Sequence, residues 1–555
     1  MTGESYEKVE QSAPAGSPPV QTSGRFRISL AQLKFWQGAF GHLGLSEAQR
    51  FLLLALLIGI FSGLLVVLFH IAIDFISWTT LGALAGRFHL VRLLTPAIGA
   101  IGAVLIVRKV FPRAKGSGVN QTKIAIYSSD GYVPGGTIFG KFLACAVSIG
   151  SGNSLGPEDP SLQMGAGVAS WLGRLFHLPR NSMRLIAPVG AAAGIAAAFN
   201  TPITGVLFVM EEVLADWSAT AVGSIVLAAV SAVVTMRAFL GNQPLFEVPE
   251  FRLASASELL IYAGIGVVGG ALSAAFITLI ERVKKQLAEF GHWRHWVLPA
   301  AAGFLTGVVG LWFPEVMGAG YEAINSALHG QFLWPVLIYL ALAKLVVTLF
   351  AFTAETPGGM FAPALFIGGM MGGGVGGLAH RIWPHAAAPA EAYLLVGMGT
   401  FFAGVFRAPI TSIFMVFEVS ASYVIILPVM ISNITSYLIS RRLQHTAFFK
   451  MLAQLEGVNL PSAEEKRSFQ PLRVEDAMET RSAYTRLAGA AQLYPDEPLD
   501  AALRVLSTEQ QIEVVSRLHP HEVLGTLTLH DVHRAYGLND DHPEKPGASA
   551  TDNGH

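Results

Sequence analysis

The run Gly194-Ile195-Ala196-Ala197-Ala198-Phe199-Asn200-Thr201-Pro202-Ile203-Thr204-Gly205-Val206-Leu207-Phe208-Val209-Met210-Glu211-Glu212 decides how this chain is read, because part of it occurs twice. Phe199-Asn200-Thr201-Pro202-Ile203-Thr204, followed by apolar residues up to Glu211, returns 207 positions later as Phe406-Arg407-Ala408-Pro409-Ile410-Thr411, running to Glu418. A second pair, Pro160-Ser161-Leu162-Gln163-Met164-Gly165 and Pro363-Ala364-Leu365-Phe366-Ile367-Gly368, is offset by 203. Two matches in the same order at nearly the same offset mean duplicated halves. The shared spacing of Pro, Thr and Glu argues against a chance likeness of apolar segments.

Composition says where those halves sit. Of 555 residues, 52% are hydrophobic and 14% charged, with 58 Gly and one Cys. Residues 51–440 hold 37 of the 75 charged side chains, although they make up most of the chain. So long a stretch with so little charge reads as an all-α polytopic membrane domain with polar ends. A disordered chain, a disulfide scaffold and a single soluble domain are excluded. The net charge of −1 gives no sign of nucleic-acid binding, and Cys145 alone forms no internal disulfide. No apolar run begins before Phe51, so the first membrane segment is expected to act as the insertion signal.

Residues 1–48 read as a polar segment, with a short amphipathic piece expected over 26–40. The membrane domain is expected over 49–445, with repeats at about 51–240 and 257–440. Several of its apolar blocks, such as 161–173 and 409–419, are far shorter than the ~20 residues needed to cross a bilayer. Short, broken helices survive at membrane depth only where their ends line a polar path or pack in protein. Duplicated halves with such helices are how many transporters build a midplane site, and inversion of one half is the commoner design. Arg50 before the first block, and Arg441 and Arg442 after the last, predict that both termini are cytoplasmic. A cytoplasmic unit over 446–540 reads helix–strand–strand–helix, and 541–555 reads as a disordered end.

Three glycine-rich turns fall at predicted helix starts: Gly116-Ser117-Gly118-Val119-Asn120, Gly156-Pro157-Glu158-Asp159-Pro160 and Gly358-Gly359-Met360-Phe361-Ala362-Pro363. Each exposes backbone N–H groups at the positive end of a helix dipole. Converging, they hold a small anion with partial charges, which lets it leave again quickly. Ser117 adds a hydroxyl donor. Close helix packing explains any one of these turns as well, but is the poorer account of all three. Glu158 is the leading candidate for a gate: ionised, it competes with an anion for the same donors; protonated, it leaves. Glu211 and Glu212 close a short apolar helix, either as an interfacial pair or with one of them as a proton entry point. Adjacent helical residues point about 100° apart, so only one of the two faces a given path.

At these residues the chain resembles the CLC family of chloride channels and chloride/proton antiporters, over about 51–456. The family's GSGIP, GREGP (or GKEGP) and GxFxP motifs correspond to 116–120, 156–160 and 359–363, and the run 194–212 is nearly diagnostic. The resemblance implies antiparallel repeats, a homodimer with a pore in each subunit, and membrane lipid around it. It implies an anion held by Ser117 and the backbone N–H groups of Met360 and Phe361, among Gly116, Gly118, Gly156 and Asp159. Glu158 falls at the external gating glutamate and Glu212 at the internal proton glutamate. Four positions depart from the pattern: Pro157 stands for Arg or Lys, Asp159 for Gly, Asn120 for Pro, and Phe449 for the pore tyrosine. Ser117 favours chloride over other anions. Residues 470–537 resemble one CBS motif, half of the usual pair, with a nucleotide as its conceivable ligand; no other cofactor and no metal is expected. The implied function is exchange of chloride for protons, not enzymatic chemistry, since H-E-x-x-H, G-x-G-D and G-x-S-G are absent. The alternative is a passive, voltage- or pH-gated chloride channel. A bacterial inner membrane is the expected location.

Overall fold

The computed structural model describes residues 47–458 apart from 85–88, 215–218, 250–256 and positions 130, 179, 243, 292 and 386. It also describes 473–535 apart from 481–490, 498, 507–508 and 518–521. The amphipathic piece expected over 26–40, the rest of the N-terminal segment up to 46 and the end at 541–555 lie outside the described residues.

The first half runs through α1 (Glu47–Ser77), α2 (His89–Leu105), α3 (Val119–Ser128), α4 (Gly135–Gly150), α5 (Glu158–Leu175), α6 (Arg180–Phe199), α7 (Pro202–Phe208) and α8 (Ala219–Leu240). The second runs through α9 (Glu258–Ala288), α10 (Arg294–Trp312), α11 (Tyr321–Leu328), α12 (Trp334–Thr353), α13 (Phe361–Ile382), α14 (Ala390–Phe406), α15 (Pro409–Ser420) and α16 (Ile426–Leu443), and a short α17 (Phe448–Leu455) follows. Among the described residues, 7 helices are long and apolar enough to cross a membrane, and α4, α14 and α15 are shorter apolar helices. Pro202 and Pro409 open α7 and α15 at the first helical position, where the missing N–H has no helical partner to lose. Just before each, Asn200 (φ 59°) and Arg407 (φ 56°) are left-handed, so the repeated Phe-x-x-Pro-Ile-Thr makes the same corner twice. Asparagine tolerates that conformation. Arg407 is held in it by its guanidinium, which donates to the carbonyls of Gln444 and His445.

Packing repeats along with sequence. In one half α5 lies on α6, and in the other α13 lies on α14. The backbones meet at Gly165 and Gly190 in the first pair, and at Gly368 and Gly397 in the second, where any side chain would overlap the facing carbonyl. Small residues of this kind let membrane helices approach closely without a hydrophobic driving force between them.

The relative direction of the halves follows from two carboxylates. Glu211, just beyond α7, accepts from the Thr411 N–H (2.8 Å) and hydroxyl (2.7 Å) at the start of α15. Glu418, near the end of α15, accepts from the Ile203 N–H (2.8 Å) and from the Thr204 N–H and hydroxyl (both 2.6 Å) at the start of α7. Each helix caps the start of the other, so the two are antiparallel, and the halves that contain them are inverted. A charge-assisted cap also sits at the favourable end of the helix dipole.

The C-terminal unit contains α18 (Val474–Ala477), β1 (Glu479–Thr480), β2 (Gln492–Leu493), α19 (Leu499–Leu506), β3 (Gln511–Val515), β4 (Val523–Thr528) and α20 (Leu529–Ala535). Its strands form one sheet in the order β1-β4-β3-β2. β3 and β4 are antiparallel, whereas β2 joins β3 in parallel. Val474, Leu499, Ile512, Val514, Leu527 and Val532 form its small apolar core. The expected helix–strand–strand–helix is α19–β3–β4–α20; β1 and β2 are the additions, each only two residues long and therefore without a readable alternation.

Candidate functional site

The three glycine-rich turns do precede helices, and the fold brings those helix starts together. Gly156 and Gly359 exchange two backbone hydrogen bonds, each of 2.8 Å, which ties the entry of α5 to the entry of α13 in an antiparallel bridge. Gly118, at φ 132°, opens α3, and a methyl group there would overlap the Asp159 carbonyl oxygen. At Gly359 an added Cβ would lie 2.9 Å from the Cβ of Asp159. Glycine is required at these points by backbone approach, and at Gly118 by conformation as well. Three helix N-termini therefore converge within a few ångströms, with no arginine or lysine side chain among the first-turn residues.

Two of the donors at this junction are taken by the chain's own carboxylates. Glu158, fully buried, accepts from the Ala362 N–H at 3.3 Å. Asp159, 1% exposed, accepts from the Met360 N–H at 2.8 Å. The remaining oxygens, Glu158 Oε1 and Asp159 Oδ1, are buried with no hydrogen-bond partner. The resemblance implies Asp159 among the residues around the anion, at a position where the family pattern has Gly. Its side chain occupies one of the two α13 amides proposed for an anion. The Phe361 side chain turns away from the junction into an aromatic cluster, with Phe406 at 4.7 Å, Phe208 at 5.0 Å and Phe402 at 5.2 Å between ring centroids. Phe449 belongs to that cluster, stacked on Phe406 at 5.5 Å and 22°, and its carbonyl accepts from Asn120 Nδ2 at 3.1 Å. An apolar ring thus stands where the resemblance implies a hydroxyl.

Ser117 lines a narrow cavity of about 40 Å³ together with Gly116, Asn120 and Gly358. Lys115, Gln121, Lys284 and Glu355 line it too, and they also line a wider cavity of about 470 Å³, to which Arg113 and Arg294 contribute. Glu456 lines both as well, so the narrow part beside Ser117 balances two lysines against two glutamates, while Arg113 and Arg294 make the wider part a net basic funnel mouth, which concentrates anions. Within it Glu355, itself left-handed at φ 62°, meets Lys115 at 3.2 Å, Arg108 at 3.4 Å and His295 Nδ1 at 3.5 Å.

Glu211 and Glu212 separate cleanly. Glu211 is spent on α15, as described above. Glu212 pairs with Lys123 of α3 at 2.7 Å, with both side chains almost fully buried. Three buried lysines were not singled out from sequence. Besides Lys123, Lys141 Nζ donates to the Gly116 carbonyl at 2.7 Å, and Lys344 Nζ donates to the carbonyls of Val316 (2.9 Å) and Gly318 (2.7 Å). The Lys344 ammonium also lies 4.9 Å from the centre of the Phe366 ring. The signal was available: an ionisable residue inside an apolar block is a candidate for function by default.

Comparison with known proteins agrees with this architecture. The pattern defining the voltage gated chloride channel family matches residues 98–441. The H(+)/Cl(-) exchange transporter ClcA of Salmonella arizonae is 30% identical over 402 residues, covering 70% of this chain and 85% of that protein. The transporter of the same name from Cronobacter sakazakii is 30% identical over 434 residues, covering 75% and 93%. Among solved structures, a slow cyanobacterial Cl-/H+ antiporter superposes with a TM-score of 0.68 at 23% identity, covering 74% of this chain and 97% of that one. With inverted halves, converging helix starts and a family match across both repeats, this chain belongs to the CLC family of voltage gated chloride channels.

Proposed function

We propose that this chain exchanges chloride for protons across a membrane, with Glu158 as the carboxylate that competes with the anion. The observation that carries this reading is Glu158 itself, fully buried on the Ala362 N–H with its second oxygen unpaired. A carboxylate held by an amide at a helix N-terminus stands where a chloride ion would be held. It gives up that place at least cost when a proton neutralises it. Relatives named as H(+)/Cl(-) exchange transporters, about 30% identical over most of their length, support the same activity. Chloride enters by the basic funnel and meets Ser117 and the starts of α3 and α13. Protons use Glu212, a second buried carboxylate in the same half.

The reading extends to a homodimer in a bacterial inner membrane with both termini in the cytoplasm, and to a C-terminal unit of the CBS kind that takes a nucleotide if it binds any ligand. A passive chloride channel is the second reading. It is favoured by the Lys123–Glu212 contact of 2.7 Å, which engages the Glu212 carboxylate with a side chain of the same domain, and by Phe449 in place of a hydroxyl donor.

Purified protein in chloride-loaded liposomes, with an outward chloride gradient and a pH electrode outside, separates the two. Proton uptake against its gradient that tracks chloride efflux, and is lost in E158Q while efflux continues, is the expected result. Chloride efflux with no proton movement in the parent protein would establish the channel reading instead.

A further inference from the structure

From the pair of carboxylates on the first turn of α5 that reach amides at the start of α13, we infer that Asp159 is a second displaceable anion mimic: it holds the Met360 N–H until a proton releases it to the transported anion. This rests on the anion-transport reading above and adds to it a residue that Glu158 does not explain.

The geometry is specific. Glu158 and Asp159 are consecutive on α5, yet they reach amides two residues apart on α13, Ala362 at 3.3 Å and Met360 at 2.8 Å. The shorter of the two contacts belongs to Asp159. Each carboxylate keeps one oxygen buried and without a partner. An ionised carboxylate oxygen left unpaired away from water is costly, whereas a protonated one is tolerated far better. Nor is the pair neutralised by direct contact with a cation. The charged and titratable groups that act on it are Lys141 and Cys145 of α4 and Lys344 of α12. Lys141 donates to the Gly116 carbonyl, and Lys344 to the carbonyls of Val316 and Gly318. On the other elements near α5, Lys123 of α3 is engaged by Glu212, and Asp74 of α1 is influenced by Glu322. Two acids thus share one helix start, and among the described residues no ion pair holds both of them charged.

The exchange balances in charge. A proton adds to the Asp159 carboxylate, the neutral acid leaves the Met360 N–H, and one chloride accepts that hydrogen bond. The junction carries the same net charge before and after. Anion binding is therefore linked to proton uptake at Asp159 independently of Glu158.

The test measures chloride affinity by calorimetry between pH 5 and 8 in the full-length protein, for the parent, E158Q, E158Q/D159N and E158Q/D159G. In E158Q, affinity is expected to keep falling as pH rises, by up to about tenfold per pH unit for one linked proton. In both double variants it is expected to vary less than about twofold across the range, a span well inside that single-proton linkage. The glycine variant carries the comparison if the asparagine variant fails to fold. Affinity already independent of pH in E158Q would overturn the role of Asp159 and leave the transport reading intact. A parent protein that neither binds nor moves chloride at any pH would instead overturn the transport reading. As a second measurement, bromide in crystals of E158Q/D159G at pH 8 should give anomalous density beside the Met360 N–H. Its absence there would also count against the proposal.

Discussion

Replacing Lys123 by methionine tests whether the Lys123–Glu212 contact is a buried ion pair that sustains the fold around Glu212. The two side chains are 4% and 6% exposed and their charged atoms are 2.7 Å apart. Methionine nearly conserves the volume of lysine and adapts to its surroundings, so the packing loss should stay below ~1.5 kcal/mol. The larger effect is electrostatic. Removing one partner of a buried pair costs about 3–5 kcal/mol, because the other charge loses its near-contact counter-ion at a site poor in water. At about 1.4 kcal/mol per factor of ten, this lowers the folded-to-unfolded ratio by roughly two to three and a half orders of magnitude. Replacing both partners removes that penalty, and apolar substitutes of similar size are often neutral or stabilising by ~1–4 kcal/mol. K123M is therefore expected to unfold at a clearly lower denaturant concentration in mixed micelles, and K123M/E212M to recover most of the loss. In liposomes the double variant should still move chloride while proton movement stops. A K123M protein within about 0.5 kcal/mol of the parent, the usual spread for surface substitutions, would refute the pairing. So would a double variant that merely adds two losses.

The other expectations concern the junctions between the halves. E211Q and E418Q each remove the charge from a cap on the start of the opposite helix, and each should cost about 1–2 kcal/mol in the same unfolding assay. A large effect in only one of them would contradict the two-fold relation of the caps. Gly118→Ala meets both the Asp159 carbonyl and a positive φ, so a loss of at least ~2 kcal/mol together with loss of chloride flux is expected. Gly223→Ala, with open space around its Cβ position, is the control and should be neutral or slightly stabilising. K344M leaves the Val316 and Gly318 carbonyls without their donor, at about 1–3 kcal/mol for each unsatisfied group. Thermal unfolding of that variant should show the loss, and an unchanged midpoint would mean that water replaces the ammonium.

Much of the architecture was legible in the residues alone. The duplicated Phe-x-x-Pro-Ile-Thr, the scarcity of charge over 51–440 and the three glycine-rich turns are local patterns. Local patterns specify where helices begin, where they break and that the halves correspond. The position of Glu158 at a buried helix start was legible for the same reason, since Gly156 and Pro157 before it mark that start in the sequence. What sequence left open depended on direction and distance. Whether the halves are inverted was settled when Glu211 and Glu418 were each found on the other's helix start, about 200 residues away in sequence. Glu211 and Glu212 are neighbours with nearly interchangeable surroundings in sequence; the tertiary structure sends one to a helix cap and the other to Lys123. That Asp159 reaches the Met360 N–H was not legible, because this depends on how closely Gly156 and Gly359 draw α5 and α13 together. Sequence determined the elements and their chemistry. Only the packing of glycine against glycine decided which donors the carboxylates reach.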